Sequence, residues 1–178
     1  MVQVNDSFRA LPINSQFRLV ENSPQGNKQR FLRFPLNGKV NGLLPLADLR
    51  GVIHVPLTEI LPVPQVAECL LGIMNWRGEA IWILDVAGLL GAIHWCRRES
   101  VRKSGMAMLV QVQNQTVGLL VEQVHTIEVY NPQERFAISA SMLPARLGSF
   151  LQGYFIDSQG SPLMLIDTHV VIQTFQSL

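Results

Sequence analysis

The residues that could bind a metal or supply a reactive thiol are few and scattered. There are four histidines: His54, His94, His125 and His169. The acidic residues nearest to them form only local pairs, without a third ligand at a spacing that zinc sites use. The two cysteines, Cys69 and Cys96, form no CxxC pair. The pattern predicts no metal site and no disulfide framework, and it fits a reducing cytoplasmic setting.

Motifs for nucleophilic or nucleotide-dependent catalysis are missing from the sequence as well. The serines lack a GxSxG context, no Walker lysine motif occurs, and no GxGxxG opens a helix. We therefore expect a protein that is not an enzyme and that needs no cofactor.

The composition restricts the partners that the protein can have. The chain has 14 Lys+Arg and 13 Asp+Glu, a net charge of +1, and only 15% charged residues. This balance lacks the basic footprint of a nucleic-acid-binding protein. With 48% apolar residues the surface must expose apolar area, which favours protein partners.

Export and membrane insertion are not expected either. The first 16 residues lack the charged start and the apolar run of a signal peptide. The most apolar run, residues 80–96, contains Asp85 and His94 and is shorter than the roughly 20 residues that span a bilayer. The sequence predicts a cytoplasmic protein without direct membrane insertion.

The stretch MNWRGEAIWILD, residues 74–85, is typical of a β-hairpin. Gly78 supplies the positive φ of a tight turn, which places Arg77 at the tip. A guanidinium there suits contacts with carboxylates and carbonyls, although a solubilising surface charge is the simpler interpretation. A two-residue loop would put Trp76 and Trp82 on opposite faces, and a three-residue loop would put them on one face. One tryptophan is expected in the core, and the other is a candidate contact residue.

The elements that must position this hairpin occur twice. An Asp follows a glycine by seven residues in both halves, Gly78 to Asp85 and Gly160 to Asp167. Upstream of each copy lies a similar pair of predicted strands, the second of which contains VNGLL in the first half and TVGLL in the second half. We interpret an apolar residue near Leu49 or Val124 as the start of a further strand. The pattern predicts an internal duplication over about 28–92 and 105–175, in a mainly β fold of small barrels or a sandwich.

Short helices and polar segments complete the predicted organisation. Asp85 and Asp167 are expected to cap short helices, the first of which ends at Gly91. Residues 94–105, HWCRRESVRKSG, are expected to form a basic loop between the copies, and residues 1–27 are expected to form a flexible N-terminal extension. The remaining chain, 28–178, is the predicted domain.

The hairpin and the segments on either side of it resemble the signature of a known protein family. The run LLGIMNWRGEAIWILDVAGLLG resembles the signature of CheW-type chemotaxis adaptors, in which L-G-x-x-N is followed by Leu-Arg-Gly, by Pro-x-Ile-Asp and by a helix closing with Leu-Gly. Residues on the pattern are Gly72, Asn75, Arg77, Gly78 and Asp85. Trp76 stands where Leu is usual, and Trp82 where Pro is usual. The resemblance spans about residues 31–175.

The resemblance implies two intertwined five-stranded barrels of the SH3 or OB type. It also implies an adaptor that couples the regulatory domain of a CheA-type histidine kinase to methyl-accepting receptors in chemotaxis, phototaxis or pilus-driven motility. The residues expected at partner-binding surfaces are Asn75, Arg77, Gly78, Gly72, Trp76, Trp82, Leu49 and Val124. The alternative is a small oligonucleotide-binding barrel, which would require a basic groove interleaved with aromatic residues.

Overall fold

The computed structural model describes residues 27–37, 40–90, 103–112, 114–139 and 148–176. Within these ranges the chain forms β-strands and short helices. The strands are β1 (Gln29–Asn37), β2 (Val40–Pro45), β3 (Leu49–Pro56), β4 (Leu70–Trp76), β5 (Glu79–Asp85), β6 (Ser104–Val112), β7 (Gln115–Val121), β8 (Ile127–Tyr130), β9 (Leu151–Ile156) and β10 (Pro162–Ile166). The α-helices are α1 (Val86–Leu89) and α2 (Thr168–Gln176), and 3-10 turns cover Leu46–Asp48, Leu57–Glu59 and Pro132–Glu134. The predicted extension over 1–27 and the basic loop over 94–105 lie almost wholly outside the described residues.

The strands form two five-stranded sheets, and each sheet contains strands from both halves of the chain. The first sheet has the order β8-β1-β2-β10-β9, and the second has the order β3-β6-β7-β5-β4. The pairings β2 with β10 and β5 with β7 are parallel, and they join the two halves within each sheet. The predicted mainly β fold of two intertwined five-stranded units is confirmed.

Each sheet curls around its own core. In the second sheet, Ile53 of β3 belongs to the same buried cluster as Met74 of β4, although these strands stand at opposite ends of the sheet order. In the first sheet, the ring of Tyr130 on β8 stacks on Phe155 of β9 with 4.7 Å between centroids, again from opposite ends. Contact between terminal strands gives each sheet a barrel-like shape. We call them the first barrel and the second barrel.

A third and larger core lies between the two barrels. It includes Leu32 and Ile166 of the first barrel, Leu84 and Met108 of the second barrel, and Ile172 of α2. Because this cluster buries side chains from both sheets and from the helix, apolar burial holds the barrels together. The two barrels therefore share one continuous apolar core.

Two aspartates, one buried and one half-buried, cap the helices that pack on this core. The Asp85 carboxylate, 1% exposed, accepts a hydrogen bond of 3.0 Å from the backbone N–H of Ala87 and caps α1. Asp167 accepts one of 3.0 Å from Val170 at the start of α2. Both capping interactions were predicted, and they satisfy N–H groups that have no partner inside a helix. Gly91, the predicted end of α1, lies outside the described residues.

The two halves share a glycine bulge. On β4 an extra residue precedes Gly72, and on β9 an extra residue precedes Gly153. Just beyond each bulge an isolated bridge reaches the preceding segment, from Ile73 to Leu61 and from Tyr154 to Phe136. These parallels support the internal duplication, which stays a prediction.

The halves also differ at two points. The hairpin between β9 and β10 has a longer loop, residues 157–161, than the two-residue turn between β4 and β5, although Gly160 retains a positive φ of 79°. The strand predicted to start at an apolar residue near Val124 is β8, which begins at Ile127, whereas its counterpart β3 begins at Leu49 itself. The backbone nevertheless pairs with β1 from His125, whose N–H donates to the carbonyl of Arg33.

Candidate functional site

The hairpin between β4 and β5 ends in a two-residue turn. Trp76 pairs with Glu79, so Arg77 and Gly78 form the tip, with φ of 54° and 88°. Two consecutive positive φ values are the signature of a type I′ turn, whose twist matches that of the flanking strands. The Asn75 side-chain oxygen accepts a hydrogen bond of 3.0 Å from the N–H of Gly78 and holds the turn. All three residues of the predicted tip are exposed.

The two tryptophans lie on opposite faces of the hairpin, as a two-residue loop requires. Trp76 is 8% exposed and belongs to the core of the second barrel. Trp82 is half-buried on the other face, against the core between the barrels, with its ring 5.8 Å from that of Phe175 in α2. Trp82 pairs with Ile73 on one side and with Val117 on the other. Core packing therefore accounts for both rings.

Two arginines lie over Trp76. The guanidinium of Arg77 is 5.2 Å from the ring centroid, and that of Arg50, on β3, is 5.5 Å from it. Both distances are within the range of a cation–π contact. Arg50 also donates a 3.1 Å hydrogen bond to the hydroxyl of Thr116 on β7. Side chains from three strands thus meet at one end of the second barrel, which we call the arginine end.

The arginine end carries uncompensated positive charge. In the part of the chain that the structure describes, the ion pairs involve Arg33 and neither Arg50 nor Arg77. Both arginines are exposed, so most of their N–H donors face solvent. The site can therefore accept acidic or carbonyl groups from outside the chain without first breaking an ion pair among the described residues.

Three of the other residues predicted to contact partners lie elsewhere. Leu49, 9% exposed, is part of the core between the barrels, and Gly72 is buried under the backbone of Leu61. Val124 is half-buried against the same core as Leu49. The side chain of Leu49 packs in this core, and the absence of a side chain at Gly72 allows the backbone of Leu61 to approach, so both residues have structural roles. Within the predicted set, Asn75, Arg77 and Gly78 are the residues that the structure presents at the surface together.

A second charged cluster closes the first barrel. Arg33 of β1 pairs with Glu128 of β8 at 2.9 Å and with Asp157 of the β9–β10 loop at 3.4 Å. The hydroxyl of Tyr130 also donates to Glu128. This cluster joins both ends of the first sheet, and its side chains are mostly buried.

The surroundings of this cluster shift the pKa of three groups. The hydrogen bond and the charge of Glu128 raise the pKa of Arg33, against the effect of burial. Burial, followed by the hydrogen bond to Glu128, raises the pKa of Tyr130. Backbone N–H donors from Ser161 and Gln159, together with Arg33, lower the pKa of Asp157. At neutral pH the cluster therefore holds a cation, an anion at Asp157 and a neutral phenol.

Beside this cluster the first barrel carries a groove of about 440 Å³ with a mixed polar and aromatic lining. Its lining residues are Tyr130, Gln133, Glu134, Arg135, Phe136, Phe155 and Ile156. Phe136 is 50% exposed while its ring stacks on Tyr154 at 5.2 Å. Phe136 therefore presents an exposed aromatic ring at the edge of this groove.

Sequence reasoning missed both Arg50 and Phe136. Arg50 had a detectable signal, since it occupies an outward position of the alternating strand LRGVIHVP and is followed by glycine, as Arg77 is. Phe136 follows four polar residues and a proline in NPQERF, a pattern without periodicity. Its exposure depends on the bridge to Tyr154, which lies 18 positions further along the chain.

Two further properties concern only the described residues. They contain no group of three or more His, Cys, Asp or Glu side chains arranged to hold a metal ion. Among their helices none has both the length and the apolar character needed to cross a bilayer.

The fold and the site define a β protein of two interlocked barrels with a cationic hairpin at the end of one of them. Residues 30–176 match the family model of the CheW-like domain. Because this match covers most of the 178 residues, the chain belongs to the CheW-like domain family.

Individual relatives agree with this assignment. Protein PilI from Pseudomonas aeruginosa strain PAO1 is 26% identical over 129 residues, which cover 72% of this chain and 67% of that protein. The crystal structure of the scaffolding protein TtCheW from Thermoanaerobacter tengcongensis aligns with a TM-score of 0.67 at 18% identity. That alignment covers 84% of this chain and 90% of TtCheW, and it shows a shared fold.

Proposed function

We propose that this protein is a non-enzymatic cytoplasmic adaptor of a chemotaxis-like signalling system. In this role it couples a CheA-type histidine kinase, through the regulatory domain of that kinase, to methyl-accepting receptors. We also propose that residues 28–178 form the adaptor domain and that residues 1–27 precede it as an extension. Membership of the CheW-like family supports the proposal and favours it over an oligonucleotide-binding barrel.

The main support for the proposal is the exposed tip of the β4–β5 hairpin at Arg77. The family signature falls on a turn whose backbone is fixed by Gly78 and by the Asn75 side chain, so the guanidinium is presented in a defined position. A preorganised donor loses little conformational entropy when a partner binds. We propose Asn75, Arg77 and Gly78 as the contact residues, with Arg50 beside them.

The experiment is a charge reversal at the tip. Arg77→Glu should weaken binding of the kinase regulatory domain or of the receptor tip by more than about tenfold, or 1.4 kcal/mol, measured by calorimetry. Folding should be retained because the side chain is exposed. Arg30→Glu makes the same charge change at an exposed position of β1 and is the matched control. Equal affinity of wild type and Arg77→Glu for both partners would refute the proposed role of the tip.

A further inference from the structure

The arginine end contains a contact that the family pattern does not supply. Trp76 stands at a position where the signature has leucine, and its ring is the surface over which both guanidiniums lie, at 5.2 Å for Arg77 and 5.5 Å for Arg50. A leucine offers no negative π face to a cation. The paired arrangement of the two arginines therefore depends on a residue at which this chain departs from the signature.

Contacts with residues of the second barrel restrict both arginine side chains. Trp76 is 8% exposed and packed among core side chains, so its ring has a defined orientation. Arg50 is further held by the 3.1 Å hydrogen bond to Thr116, while Arg77 is held by the turn. Two long side chains that usually sample many rotamers are thus restricted before any partner arrives.

We propose that Arg50 and Arg77, positioned by Trp76, form a clamp for an acidic side chain, an Asp or a Glu, of the protein partner. This inference deepens the proposed function, on which its biological meaning rests. Guanidinium groups match carboxylates in shape and donate two parallel hydrogen bonds, which a lysine cannot do. In the described part of the chain no carboxylate competes for either arginine.

The burial of Trp76 favours a carboxylate partner over a nucleic acid. Proteins that bind single strands stack bases on exposed aromatic rings beside a basic groove. Here the ring is 8% exposed and covered by the two arginines, so it offers no stacking platform. The net charge of +1 also gives no extended phosphate-binding surface.

The test uses the full chain and a hexaglutamate peptide with blocked ends as the probe. Side-chain N–H signals of Arg50 and Arg77 should shift in NMR titrations with hexaglutamate and stay in place with hexalysine. Arg50→Gln and Arg77→Gln should each weaken the apparent affinity at least about threefold. Arg30→Gln removes the same charge from an exposed site on β1 and should have a much smaller effect.

The role of Trp76 is tested by two substitutions of different character. Trp76→Phe keeps an aromatic face and should retain binding, whereas Trp76→Leu should lose it to the same extent as loss of one arginine. Both variants reduce the volume of a core side chain, so a purely structural role would affect them in the same direction. If the two variants bind hexaglutamate with equal affinity, Trp76 has no role in the clamp.

Other outcomes separate the clamp from the adaptor function. Unmoved arginine signals at saturating hexaglutamate would overturn the clamp, and they would leave the adaptor proposal intact if the kinase domain still binds. A hexathymidylate oligonucleotide that shifts the same signals at lower concentration would also overturn it, in favour of phosphate binding. If hexaglutamate binds but Arg77→Glu leaves the kinase and receptor affinities unchanged, the arginines bind carboxylates but neither of these partners supplies one. This outcome would overturn the clamp for these two partners and refute the adaptor role of the tip.

Discussion

Gly72 and Gly153 occupy equivalent bulges with nearly the same backbone conformation, φ of 143° and 150°. Each lies directly under the carbonyl oxygen of a preceding segment. A β-carbon added at Gly72 would be 2.1 Å from the oxygen of Leu61, and one added at Gly153 would be 2.5 Å from the oxygen of Phe136. Both barrels are therefore closed at a point where only a hydrogen atom fits.

Alanine at either bulge glycine should destabilise the fold. Gly72→Ala and Gly153→Ala combine a backbone clash with an unfavourable φ, and we expect each to lower the free energy of unfolding by about 2–4 kcal/mol. Chemical denaturation measures the change. Gly51→Ala is the control, because a β-carbon there meets nothing within 4 Å. If the control loses as much stability as Gly72→Ala, the explanation by close approach is wrong.

The hairpin turn should respond to a β-branched residue. Gly78 has φ of 88° and open space around its α-carbon, so Gly78→Val adds strain without a clash. We expect a loss of about 1–3 kcal/mol in the free energy of unfolding. Gly51→Val is the comparison, because it makes the same substitution at an ordinary φ where a β-carbon meets nothing within 4 Å. An equal loss of stability in thermal melts of the two variants would argue against the turn geometry.

Arg77 itself has a left-handed backbone, with φ of 54°. Asparagine tolerates this region better than alanine does. Both Arg77→Asn and Arg77→Ala lose the contact with Trp76, so their difference reports the backbone alone. Arg77→Asn should be the more stable variant by up to about 1 kcal/mol, while both bind partners more weakly than the wild type. Thermal melts that rank alanine above asparagine would contradict the assigned turn.

Asp157 should stabilise the protein in a pH-dependent manner. Its folded-state pKa is lowered from the ordinary 3.8, so its contribution is fully present above pH 3.8 and is lost as the pH falls through the folded value. Asp157→Asn keeps an acceptor oxygen but loses the charge opposite Arg33. We expect a lower melting temperature than the wild type at pH 7 and a smaller difference at pH 2. A difference that stays constant between these two pH values would exclude the charge as the cause.

The contact between Trp82 and Phe175 can be measured by a double-mutant cycle. The rings are 5.8 Å apart, tilted by 56°, and join β5 to α2. Alanine at both positions should give a coupling free energy of about 0.5–1.5 kcal/mol in denaturant unfolding. Trp82→Ala with Phe136→Ala is the control pair, which should be additive because Phe136 packs on Tyr154 in the first barrel. Additivity in the first pair would show that α2 is held by other contacts.

Local features of the chain were predictable from the sequence. The turn at Gly78 and the helix caps at Asp85 and Asp167 depend on neighbouring residues, and the structure has all three where they were expected. The resemblance to the family then supplied the expectation of two intertwined five-stranded barrels, whereas the order of the strands came only from the structure. The parallel pairing of β2 with β10 joins residues more than 100 positions apart.

The site was harder to predict because it depends on how a sheet curls. Arg50 and Trp76 come from strands at opposite ends of the second sheet, and only the closed shape brings them to 5.5 Å. For the same reason Leu49 was wrongly expected at the surface, since the signature does not indicate which face of β3 turns towards the other barrel. Its 9% exposure results from packing between barrels.

The exchange of strands between the halves has a consequence for the assembly of the molecule. Strands β1 to β5 alone would leave β2 and β5 without their parallel neighbours β10 and β7, and β1 and β3 without their antiparallel neighbours β8 and β6. Both sheets would therefore expose unpaired edges. Separately expressed halves should therefore be insoluble or unfolded alone and should recover native structure when mixed, as complementing fragments do. The duplication would thus have produced a single cooperative unit, in which neither half can evolve a new partner surface without remaining compatible with the other.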